Sequence, residues 1–135
     1  MKVLIVEPGK YPREADIEKT VDAFESITGG ETVGFDNEKG ACLFSRKAGC
    51  GEGLAMNRLL TENDVIHGTI VISGMGKDGP TDLSPDQMKF YEKAFHDPLY
   101  FAVVGDTLYV KRVTPEEYIS LMNPPNPPKR DTPER

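Results

Sequence analysis

At 135 residues and 14.9 kDa the chain has room for one core and not for two ordinary domains. Its 38% hydrophobic and 28% charged residues are those of a soluble globule, and no apolar run approaches the roughly 18–20 residues a membrane span needs. A formal net charge of -6 argues against a nucleic-acid partner, because such binding rests on cationic contacts to phosphate.

The opening MKVLIVEP is too short for the apolar stretch of a signal peptide and has no small-residue cleavage site, so Lys2 to Val6 reads as a strand of a cytoplasmic protein. EPGKYP then turns the chain. In ADIEKTVDAFESITGG the apolar residues Ile17, Val21, Phe24 and Ile27 recur at spacings of four, three and three, which predicts a helix over Glu18 to Thr28 closed by Gly29-Gly30. ETVGFDNEKGACLFSRKAG has two β-prone runs around DNEKG and reads as a hairpin. EGLAMNRLLTEND fits neither period, and its class is open between a short helix and an irregular excursion.

VIHGTIVISG is β-branched and apolar on both alternating sets, the pattern of a central strand covered on both sides, with Gly68 permitting a close approach. The second helix carries a full start signal: Ser84 as cap, Pro85 first, Gln87 closing a capping box and Met88 placed to staple against Leu83. Its predicted inner face is Met88, Tyr91, Ala94 and Phe95, and it stops at HDP. Tyr100 to Val113 predicts a hairpin turning at Gly105-Asp106. VTPEEY repeats the helix-start grammar with Val113, Thr114, Pro115, Glu117 and Tyr118. NPPNPPKRDTPER offers five prolines and no apolar residue to bury, so it reads as a disordered tail dispensable for folding. The order β-β-α-β-β-excursion-β-α-β-β-α predicts an α+β fold with a mixed or antiparallel sheet and two to three helices. One globular domain is expected over residues 1–123, followed by a tail over 124–135.

Few motifs carry chemistry. ISGMGKDGP follows a strand with three glycines and a lysine, but Lys77 precedes Asp78 rather than Ser or Thr, Pro80 removes an N–H, and the next helix starts only at Ser84, so it is not a phosphate loop. It reads as a flexible connection, and Lys77 stays a binding candidate because glycine-rich loops beside central strands often carry such residues. His67 reads as a partly buried, hydrogen-bonded strand residue and His96 as a cation in the last turn of a helix. Without H-x-x-x-H or C-x-x-C no metal site is predicted, and no cofactor. Cys42 reads as core. Cys50 lies near Arg46 and Lys47, which would favour a thiolate, yet no histidine–asparagine or histidine–aspartate partner set stands out, so no catalytic residue is assigned.

MKVLIVEPGK, the glycine pair after the first helix, EGLAMNRLL, HGTIVISG and LSPDQMKFYEKAF, in that order over residues 1–98, resemble successive blocks of the family named domain of unknown function 3846. The most specific block is G-L-x-x-N-R-x-L, here Gly53, Leu54, Asn57, Arg58 and Leu60. The resemblance implies a bacterial protein of phage or mobile-element kind and brings no activity, cofactor or catalytic residue with it. The resulting expectation is a non-catalytic binding module that contacts a host protein or self-associates through the Tyr100–Val113 hairpin. The alternative is a small enzyme or ligand binder using Asn57, Arg58 and His67, with Arg58 either locking buried carbonyls or capturing an anion.

Overall fold

The structure is a computed structural model that describes residues 1–47 and 53–123. The opening apolar run forms β1 (Lys2–Val6), which turns at Pro8-Gly9 and pairs antiparallel with the short β2 (Arg13–Asp16). The first helix, α1 (Val21–Thr28), starts later than its apolar spacing predicts. The Thr20 side chain accepts from Ala23 N and caps the helix there, leaving Ile17 before the helix and Val21 70% exposed, while Phe24 and Ile27 pack inward. Gly29 closes it in the left-handed region. The predicted hairpin follows as β3 (Thr32–Asp36), a 3-10 turn (Glu38–Gly40) and β4 (Ala41–Arg46).

The undecided segment is neither helix nor irregular excursion: β5 (Met56–Thr61) and β6 (Asp64–His67) form a two-stranded hairpin. VIHGTIVISG is correspondingly not one strand. Gly68, with a φ of 75°, breaks it between β6 and β7 (Ile70–Gly76). The glycines beyond it belong to a hairpin rather than a flexible connection, since β7 turns tightly at Lys77-Asp78 into β8 (Gly79–Thr81). Then come α2 (Pro85–Ala94), the hairpin of β9 (Leu99–Val104) and β10 (Thr107–Arg112), and α3 (Pro115–Met122). Both later helices have the expected capping boxes, at Ser84/Gln87 and Thr114/Glu117.

The fold is α+β in a single compact body, and every strand pairing among the described residues is antiparallel. The main sheet runs β2-β1-β7-β4-β3, with β8 extending the same edge of β7 beyond β1. Alternation in β1 and β7 divides the core between its two faces. Val3, Ile5 and Val71 meet Phe24 of α1 on one side. Leu4, Val6, Ile70 and Ile72 meet Met88, Tyr91 and Phe95 of α2 on the other, together with Ile66 of β6. Ala94, expected on the inner face of α2, is exposed, because the turn that carries Tyr91 and Phe95 inward points it away. Tyr91 Oη donates to Glu38 O and Gln87 Nε2 to Lys39 O, tying α2 to the β3–β4 turn. The β9–β10 hairpin forms its own two-stranded sheet, separate from the main one. The expected tail over 124–135 and Cys50 lie outside the described residues.

Candidate functional site

Consecutive strand residues normally face opposite ways, yet Asn57 and Arg58 are both buried, at 0% and 1% exposure. The cause is a bulge: Met56 pairs with His67 and Arg58 with Ile66, so Asn57 is an extra residue that turns the strand and carries both side chains inward. The Asn57 amide donates to Val6 O at 2.8 Å and Gly68 O at 2.7 Å, and its Oδ1 accepts from Arg58 Nη1 at 2.8 Å. Arg58 donates from Nε to Phe95 O (3.1 Å), from Nη2 to Lys10 O (2.7 Å) and from Nη1 to Asn57 O (3.3 Å). Two neighbouring side chains thus tie together the end of β1, the β1–β2 turn, the β6–β7 break and the C-terminus of α2. Four donor–acceptor contacts account for Arg58, whose planar fork suits several carbonyls at once.

Arg58 forms no ion pair with a carboxylate among the described residues. Burial lowers its pKa to about 10, a shift that the nearby Asp97 opposes. The residue also lines a cleft of about 460 Å³ between α2, β5 and the β9–β10 hairpin, with Lys93, Asp97 and Arg112 at its sides. Sequence reasoning missed Lys93 and Arg112. Each reads as an ordinary exposed charge, and only the docking of the hairpin against α2 brings them to Arg58.

The other candidates lie apart. His67 is exposed rather than half-buried, because it is the last residue of β6 before the break, and it lines a different, smaller cleft with Met56, Tyr100 and Tyr118. Lys77 occupies the turn at the far end of β7, seven extended residues from Ile70, or about 23 Å. His96 follows the helix end instead of forming its last turn; its Nδ1 lies 2.7 Å from Glu92 Oε2 and its ring stacks on Tyr11 at 4.6 Å. Cys42 is a buried free thiol whose pKa burial pushes up to about 11. Among the described residues no group of three or more His, Cys, Asp or Glu is placed to hold a metal ion, and no helix is long and apolar enough to cross a membrane.

A second surface is apolar. The base of the hairpin is tied down by Val113 N donating to Pro98 O, and Tyr118 of α3 lies so close over Gly9 that a side chain there would collide with its ring. Beyond this base the hairpin projects. All of β10 is exposed, as are Val103 (63%), Val104 (62%) and Tyr109 (58%), and α3 adds Ile119 (61%) and Met122 (50%). Among the described residues β10 pairs only with β9, so its outer edge is open.

No curated protein matches the chain, and no solved structure does. The family described as Domain of unknown function (DUF3846) matches residues 1–96, a stretch that contains the main sheet, α1, α2 and the Asn57–Arg58 bulge and stops before the hairpin; the chain belongs to that family.

Proposed function

We propose that the chain is a non-catalytic binding module, of the phage or mobile-element kind its family resemblance suggests, that contacts a host protein through β9, β10 and α3. The observation that carries this reading is the concentration of exposed apolar side chains on one unit, Val103, Val104, Leu108, Tyr109 and Val110 with Ile119 and Met122 beside them. The register puts Val103, Leu108 and Val110 on one face of the hairpin and Val104 and Tyr109 on the other, so both faces offer apolar area that a partner can cover. The open edge of β10 supports a mode in which an extended strand of the partner adds to it through main-chain hydrogen bonds, with the alternating apolar side chains supplying contact area.

A second copy of the chain is the other occupant supported by a specific feature. Antiparallel pairing of two β10 edges about Tyr109 sets Asp106 opposite Arg112 of the second copy and Leu108 opposite Val110, an isologous match of charge and apolar surface. The test combines affinity capture from host lysate with reconstitution from the purified captured protein. The proposal expects one protein that rebinds in isolation and is lost with Val103→Glu/Tyr109→Glu. Capture unaffected by that variant, or a specific small-molecule ligand with no rebinding protein, overturns it. Sedimentation at increasing concentration separates the two occupants, since only a second copy makes the mass of the isolated chain rise.

A further inference from the structure

The cleft beside α2 holds an electrostatic imbalance. Arg58, Lys93 and Arg112 face it with Asp97 as the single carboxylate among its lining residues, a surplus of two positive charges on a chain of net charge -6. None of the three cations is in an ion pair among the described residues. The guanidinium of Arg58 is bonded to neutral carbonyls, and Asp97 is the one nearby carboxylate that offsets its charge. Its contacts to Phe95 O, Asn57 O, Asn57 Oδ1 and Lys10 O account for four of its five N–H groups, leaving one on Nη2. The same contacts hold the guanidinium rigid, so an incoming anion meets a cation whose ordering cost has been met in folding. Lys93 from the last turn of α2 and Arg112 from the end of β10 supply exposed charges that can swing toward the anion.

We infer that this cleft is a binding site for a phosphate monoester, held by Arg58 at its wall and by Lys93 and Arg112 at its rim. The surplus of two charges matches a group that carries about -1.5 to -2 at neutral pH, better than it matches a single carboxylate. A volume of about 460 Å³ admits the phosphate together with a few further atoms of its ester. The other cleft beside α2, of about 790 Å³, is lined by Lys2 and Lys89 against Glu14, Asp82 and Glu92 and shows no such surplus.

The phosphate can belong to a free small molecule or to a phosphorylated side chain of a protein, and the test has an arm for each. Amide and guanidinium Nε–H resonances of the full chain are followed at constant ionic strength while glycerol 2-phosphate or a phosphoserine peptide is added, with sodium chloride as the control. The inference expects saturable shifts at Arg58, Lys93 and Arg112 with a Kd of about 1 mM or tighter for at least one of the two. In Lys93→Gln/Arg112→Gln, which removes two exposed charges and no buried one, the same binding should weaken by about fivefold or more, while Lys19→Gln leaves it unchanged. Tighter binding of glycerol 2-phosphate identifies a free ester, and tighter binding of the peptide a protein-borne one. Shifts that never saturate, that chloride reproduces, or that persist undiminished in the double variant overturn the site.

Discussion

Arg58 is where burial, hydrogen bonding and charge meet. Arg58→Ala strands the carbonyls of Phe95 and Lys10 and an acceptor of Asn57, and an unpaired buried acceptor costs about 1–3 kcal/mol. The urea midpoint of that variant should fall clearly below wild type; an unchanged or raised midpoint would show that Arg58 is held for a ligand at the expense of the fold. A pH effect belongs to Cys42 and Tyr91. Burial raises the Cys42 pKa from 9.0 to about 11 and that of Tyr91 from 10.0 to about 12, so the folded state keeps protons that the unfolded chain has already released. Each contribution is therefore intact below the unfolded pKa and is lost as pH rises through the folded one. The thermal midpoint should fall between about pH 9 and 11, less steeply in Cys42→Ala, and in a Cys50→Ser background Cys42 should resist alkylation at about pH 8 until the protein is unfolded. Equal slopes in the two proteins, or rapid native labelling, would contradict the burial of that thiol.

The elements differ in how much of themselves they wrote into the chain. Capping is local chemistry, so Ser84, Pro85 and Gln87, and likewise Thr114, Pro115 and Glu117, mark helix starts that the structure reproduces. At α1 apolar spacing alone misled, because it extended the helix back to Glu18 although the Thr20 hydroxyl caps it two residues further on. β5 was illegible for a stronger reason: period counting presumes an apolar inward face, whereas β5 buries an asparagine and an arginine side by side through a bulge. The same blindness applies to the cleft, whose Lys93 and Arg112 are brought together only by tertiary packing. The glycines at the end of β7 answer to a need for space. A Cβ on Gly74 would lie 2.5 Å from Asp82 O, so Gly74→Ala must push β8 away from β7 and disturb the Asp82 Oδ1 and Leu83 N bonds to Lys2. We expect a loss of about 1–3 kcal/mol, seen as a lower denaturation midpoint; tolerance without loss would mean that β8 is only loosely attached.

At the scale of the whole molecule the chain has two parts of different character. Residues 1–96, the family-matched part, contain the sheet, the two helices that cover it and the Asn57–Arg58 lock. The hairpin and α3 beyond it add little to that core and expose most of their apolar side chains, and on that ground they are the surface we propose for contact with a partner. Tyr118 over Gly9 packs α3 against the β1–β2 turn, and Val113 N donating to Pro98 O holds the base of the hairpin. Amide hydrogen exchange of the chain, free and saturated with its purified captured partner, tests that claim most directly. The account predicts slowed exchange in β10, at the tip of β9 and in α3, with α1 and the β3–β4 hairpin unchanged; protection confined to α1 and β3, with the hairpin still exchanging freely, would contradict it.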